Sequence, residues 1–203
     1  SSMHNDMISI NLVYEDELQK AVMLRIMGIF GDKYYPGTFF PGSGFGYIKK
    51  RIHNFNKASQ MMPYFVLTDL DTTPCAPVKI AEWLPEEKNP NLIFRIAVPE
   101  VESWLYADIV NFPKQLRCQY NIPNGADATE DGKKFLFSII KRTAPKKIQE
   151  DILPEKGTSA KIGRGYNPLL CDFVARHWDP HIARLHSNSL NRAIIALEKY
   201  TPI

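Results

Sequence analysis

Cysteine is scarce: three in 203 residues, with Cys75, Cys118 and Cys171 far apart. They give neither a metal-ligand spacing nor a disulfide framework, and fit a reducing, cytoplasmic setting. No window approaches the ~18 consecutive apolar residues of a membrane span, which sets a membrane role aside. Neither sign of charge dominates, since 25 Lys and Arg against 22 Asp and Glu leave +3. That excess is too small to imply nucleic acid by itself. Internal repeats and low-complexity tracts are missing. Ser1-Ser2-Met3 has no signal-peptide core behind it and reads as a cloning remnant. Two glycine-rich phosphate patterns also fail. Gly42-Ser43-Gly44-Phe45-Gly46 lacks the dinucleotide spacing, although its backbone amides leave room for a phosphate. In Gly157–Tyr166, Ile162 stands where a P-loop needs its second glycine, and no Lys-Ser/Thr follows.

What is present is ordinary in bulk and specific in one place. Hydrophobic residues make up 44% and charged residues 23%, enough for one large domain or a core with an accessory piece. The specific place is Tyr64-Phe65-Val66-Leu67-Thr68-Asp69-Leu70-Asp71. An apolar run that ends in two carboxylates reads as a strand buried on both faces of a parallel sheet. Its carboxyl end is where open α/β sheets bind ligands. If strand geometry persists, Asp69 and Asp71 point the same way, and such a pair needs a proton or a cation between them. The alternative is that both aspartates start a loop and cap the next helix.

The same arrangement recurs. Ile8–Val13 reads as a strand, followed by Glu15 and a helix to about Met27. Leu92–Val98 reads as another, followed by Glu100, Glu102 and a helix over Pro99–Asp108. Glu15 has a plainer role available, complementing the helix dipole. Three strand ends bearing Glu15, then Asp69 and Asp71, then Glu100 and Glu102 would make an acidic cluster that requires cations. Tyr34–Gly46 reads as a loop with a short strand at Gly37–Phe40, and Tyr47–Ser59 as an amphipathic helix. Pro77 suits the first turn of a helix over Val78–Leu84.

Residues 133–164 then carry nine Lys or Arg against three Asp or Glu. Helices are expected over Lys133–Arg142, Lys146–Leu153, Pro168–His177, Pro180–His186 and Ser189–Tyr200, the last capped by Ser189. A basic stretch beside an acidic edge suits a phosphodiester held over metal ions. A lysine-rich solvated surface is the plainer reading.

The order Glu15, glycine-bearing linker, Asp69-x-Asp71, then Glu100-Val101-Glu102-Ser103-Trp104-Leu105 resembles the TOPRIM superfamily. It is most similar to small bacterial TOPRIM-like proteins of unassigned function, related to the nuclease half of OLD-family proteins. The resemblance covers about residues 8–110 and extends weakly to Lys161–Leu197. It implies a TOPRIM-like, Rossmann-like α/β core over 7–110, with a mostly parallel sheet flanked by helices. A basic helical extension over 111–203 would pack on that core. It also implies a nuclease using Mg²⁺ or Mn²⁺, with Glu15, Asp69 and Asp71 catalytic and Glu15, Asp69, Asp71 and Glu102 as metal ligands. Lys133, Lys134, Lys161 and Arg164 would bind nucleic acid, DNA or RNA. A role in phage defence and an ATPase encoded alongside go with the resemblance, and a homodimer stays open. Relatives usually carry Gly directly after the first glutamate and an acidic residue four positions on, where this chain has Asp16 and Gln19.

Two other functions compete. Asp69-Leu70-Asp71-Thr72-Thr73 also resembles the first motif of haloacid-dehalogenase-type phosphatases, with Asp69 as nucleophile and Asp71 as acid. Asp127 and Asp131 have the spacing of that family's metal motif, but no apolar strand precedes them. The third function is a non-catalytic TOPRIM-like module that binds a partner ATPase or nucleic acid.

Overall fold

The computed structural model describes residues 7–43 and 46–203. Ser1-Ser2-Met3 and the centre of the glycine run, Gly44-Phe45, lie outside them. Strands β1 (Ile8–Tyr14), β2 (Tyr34–Pro41), β3 (Tyr64–Asp69) and β4 (Leu92–Ala97) form one sheet in the order β2-β1-β3-β4. Every pairing is parallel. Parallel neighbours need a crossover, and helices α1 (Glu17–Gly28), α2 (Tyr47–Ala58) and α3 (Ala76–Trp83) supply the three. The fold is α/β, as the alternation of apolar runs and helical stripes predicts.

Strand residues alternate between two buried faces. Ile10, Leu12, Phe65, Leu67 and Ile93 face one side, and Val13, Val66, Phe94 and Ile96 face the other. Burial on both faces explains why the strands read as continuous apolar runs. Ile48, Ile52 and Phe55 of α2 cover the second face. The first face is covered by α1 and by the second half of the chain, with Leu136, Ile139, Leu170, Phe173 and Ile194 in the same cluster as Ile10 and Leu12.

That second half is helical. It comprises α4 (Val101–Tyr106), α5 (Asn111–Leu116), α6 (Gly132–Thr143), α7 (Lys146–Ile152), α8 (Tyr166–Arg176), α9 (Pro180–Ala183) and α10 (Asn188–Lys199). Two fully buried tryptophans tie its parts to one another. Trp178 Nε1 donates to Trp104 O at 2.9 Å, and Trp104 Nε1 donates to Ser189 Oγ at 2.8 Å. No helix among the described residues is long and apolar enough to cross a membrane.

Two expectations are corrected. Tyr34–Pro41 is a full strand and not chiefly a loop. It is an edge strand, where Pro36 and Pro41 are tolerated because one side needs no donors. A register shift opposite Asn11 lets Asn11 Oδ1 accept the Thr38 N–H at 2.7 Å. The cap of α10 is Ser187, whose Oγ accepts the Leu190 N–H at 3.2 Å, because Ser189 Oγ is already taken by Trp104.

The basic glycine loop has a packing reason for two of its glycines. Gly163 N–H donates to Ile152 O at 3.0 Å and Gly165 N–H to Asp151 O at 2.9 Å. A Cβ on Gly163 would lie 2.3 Å from Asp151 O and 2.7 Å from Leu153 O, both backbone atoms. Gly163→Ala should therefore destabilise the protein by about 1–3 kcal/mol. Gly28→Ala, where a Cβ meets nothing within 4 Å, should be neutral or stabilising by roughly 0.5–1 kcal/mol. Chemical denaturation of both variants checks the contrast.

Candidate metal centre

Because β1, β3 and β4 are parallel neighbours, their carboxyl ends share one edge of the sheet. Glu15 follows β1, Asp69 closes β3, and Glu100 and Glu102 follow β4. Oxygens of Asp69, Glu100 and Glu102 lie within 4.8 Å of one another, a group that could hold a metal ion. Each is fixed locally. Asp69 Oδ1 accepts the Val101 N–H at the start of α4, at 2.9 Å. Glu102, buried, accepts the Tyr166 hydroxyl. Glu100 Oε1 accepts the Lys133 N–H at the start of α6, at 3.3 Å, and hydrogen-bonds Asp131. Gly132 allows that approach, since a Cβ there would lie 2.7 Å from Ser103 Oγ and 3.2 Å from Glu100 Cβ.

Asp71 leaves this group. Strand geometry stops at Asp69, and Asp71 has φ 55°, the left-handed region that short polar side chains tolerate. The expectation that Asp69 and Asp71 continue one strand is corrected on that ground. The Leu70 and Asp71 N–H groups donate to Pro99 O at 3.1 and 3.2 Å. Asp71 Oδ2 lies 3.9 Å from Lys79 Nζ, a buried ammonium that also donates to Asp69 O and to Leu70 O. Glu15 feels both Asp71 and Lys79 electrostatically. The edge therefore holds two neighbouring sets: Asp69, Glu100 and Glu102 on one side, and Glu15, Asp71 and Lys79 on the other.

The crowding shows in the proton affinities. Burial, followed by Asp71, raises the Glu15 carboxyl to about 7, against the pull of Lys79. Burial and then Glu102 raise Glu100 to about 8. Asp69 is raised well above the usual range by burial and then by Glu102, Asp16, Asp71 and Glu100. Burial raises Glu102 as well, opposed by the Tyr166 hydrogen bond and by Lys133. Such a set is stable with protons shared among it or with a cation in place of them. The donors are all carboxylate oxygens, the preference of hard divalent cations.

Asp16 and Gln19 build the start of α1. Asp16 Oδ1 accepts the Gln19 N–H at 2.8 Å, and Gln19 Oε1 accepts the Glu15 N–H at 2.7 Å, a close variant of a capping box. Gln19 is fully buried and its Nε2 has no acceptor among the described residues. That unused donor, beside Glu15, fits a water.

Of the four basic residues singled out in the sequence, Lys133 is at the site. Its Nζ lies 5.9 Å from the centre of the Tyr166 ring, and its charge acts on Asp16 and Glu102. Lys134 is exposed in the first turn of α6. Lys161 and Arg164 are exposed in the loop that leads into Tyr166, and Arg164 borders a cleft of about 770 Å³ with Lys146 and Gln149. Sequence reasoning missed Lys79, Tyr166 and the placement of Asp131. Lys79 left one trace, as the lone charge inside Ala76-Pro77-Val78-Lys79-Ile80-Ala81. Tyr166 left none, since its partner is 64 residues away.

Glu15 and Glu100 have an ordinary value of 4.5 when exposed. Because the folded state binds their protons more tightly, the stability they contribute is full below that value. It is lost as pH rises through about 7 and about 8. In EDTA the thermal midpoint should fall between about pH 5.5 and about pH 8.5, and a divalent cation should restore it mainly at the higher pH. A flat profile in EDTA would contradict the raised carboxyls.

Comparison with known family models, with characterised proteins and with solved structures returned no match.

Proposed function

We propose that this protein is a divalent-metal-dependent phosphoryl-transfer enzyme acting on nucleic acid, a nuclease of the TOPRIM type. The observation that carries the reading is the convergence of Asp69, Glu100 and Glu102 at the carboxyl edge of a parallel sheet, with oxygens within 4.8 Å. Those three would hold Mg²⁺ or Mn²⁺, with Glu15 and Asp71 beside them. When bound, the ion supplies the charge that activates water and stabilises the phosphate.

The chain's own groups do the rest. Glu15, poised at about 7, is suited to take a proton from water at neutral pH. Lys79 holds the Asp69–Asp71 turn through two carbonyls and offsets its charge. Lys133, Lys134, Lys161 and Arg164 supply positive charge for the phosphate backbone, which positions the strand without reading its sequence. A role in phage defence and a partner ATPase are supported by the sequence resemblance alone.

Labelled DNA and RNA incubated with Mg²⁺, Mn²⁺ or EDTA test the reading. Cleavage should require the divalent ion, and Asp69→Asn or Glu102→Gln should each lower it at least about a hundredfold. Hydrolysis of p-nitrophenyl phosphate with a beryllofluoride adduct on Asp69 would instead establish the phosphatase, which passes through an aspartyl-phosphate. A folded protein that binds no metal and cleaves neither substrate would be a non-catalytic module.

Binding of nucleic acid should depend on salt through the counterions released. Replacing Lys161 and Arg164 together by Ala should weaken binding and lower the slope of log K against log salt by about two for duplex DNA, or slightly less for single strands. Fluorescence anisotropy across a salt series measures it, and an unchanged slope would reduce both residues to ordinary surface.

A further inference from the structure

A second concavity, of about 260 Å³, opens where β4, the turn after β3 and the start of α10 meet. Two arginines line it, Arg95 from β4 and Arg192 from α10. Arg95 stands in the middle of a strand between Phe94 and Ile96, both buried. Its Nε is closed off from solvent and has no acceptor among the described residues. Burial, and then the charge of Arg192, lower the proton affinity of Arg95.

No carboxylate answers them. Among the described residues the ion pairs are Lys79 with Asp71 and Arg176 with Asp172, so no carboxylate oxygen comes within 4.0 Å of either guanidinium. The carboxylate that lines the concavity, Asp127, is engaged elsewhere. It accepts the Ser187 hydroxyl at 2.5 Å and the Ser189 N–H at 2.7 Å, which places its charge at the start of α10. On another wall, α3 begins at Ala76 with no side-chain cap on its first amides. A half-buried arginine that serves only as packing normally has its charged end paired or in water. Here the Nε has neither, and a second arginine lines the same concavity.

We infer that this concavity is a binding site for a terminal phosphate group, separate from the acidic edge. Both arginines carry guanidinium N–H donors of the kind that match a tetrahedral oxyanion. Charge selects among oxyanions. A monoester or inorganic phosphate approaches two negative charges at neutral pH, with a second pKa near ~6. A carboxylate or a phosphodiester carries one. Two guanidiniums against the single Asp127 carboxylate leave an excess of positive charge, which the dianion answers more strongly than a single charge does. The site thus favours free phosphate or the phosphorylated end of a nucleotide over the interior of a strand.

Calorimetric titration of the full chain with inorganic phosphate tests this, in EDTA and at constant chloride, so that the outcome is independent of the metal reading. Saturable binding at one site is expected. Arg192→Ala, a change at an exposed position, should weaken it at least about tenfold, and Arg95→Met should abolish it. If Arg95→Met fails to fold, the Arg192→Ala result decides. A 5′-mononucleotide that binds more tightly than phosphate would identify a nucleotide end as the ligand. Equal affinity would identify the phosphate group alone. Heat no greater than that of matched chloride, equal binding by the unphosphorylated nucleoside, or unchanged affinity in Arg192→Ala would overturn the inference.

Discussion

Like charges held close together govern this molecule. Parallel pairing of β1, β3 and β4 puts the carboxyl ends of three strands at one edge, and each end is acidic. The repulsion is contained by fixed donors: the Val101 N–H on Asp69, the Lys133 N–H on Glu100 and the Tyr166 hydroxyl on Glu102. Those donors come from α4, α6 and α8, so the packing of the helical half on the sheet is what brings them to the acidic edge. Without α6 and α8 the acidic edge loses two of those three contacts, along with part of the cover on the face that carries Leu12 and Phe65.

Much of the fold could be read from the sequence because strands buried on both faces announce themselves. Tyr64–Leu67 and Leu92–Phe94 are apolar at every position, and Asp69 and Glu100 stand past the ends of those apolar runs. Tyr34–Pro41 was harder. Its prolines and glycine argue against a central strand, and only its place at the sheet edge reconciles them with pairing. Ser189 misled for a different reason: it has the right chemistry for a cap, but Trp104 claims its hydroxyl from 85 residues away.

The site was legible in kind and blurred in detail. Acidic residues at strand ends were evident, and so were the basic residues after position 133. Which carboxylates converge was not, because it turns on one backbone angle at Asp71 and on how α4 follows β4. Glu100 therefore belongs to the close group, while Asp71 faces Lys79. Tyr166 and Asp131 reach the site through long-range packing that no local spacing records. Gln19 in place of an acid has a local meaning, since its amide holds the Glu15 N–H at the turn into α1.

One contact near the far end of the chain bears on how the protein is made. Tyr34, the first residue of β2, gives its hydroxyl to Leu197 O at 2.6 Å, and Lys33 gives its ammonium to the carbonyls of Leu197 and Glu198 at 2.7 Å each. Those carbonyls end α10, where a cation is favoured. The earliest crossover of the sheet is thus fastened by a helix more than 160 residues later. During synthesis α1 is available to cover β1 and β2 early, whereas this fastening waits until α10 has emerged. Contacts this distant in sequence close slowly, so the first crossover is fastened only after nearly all of the described chain has been made.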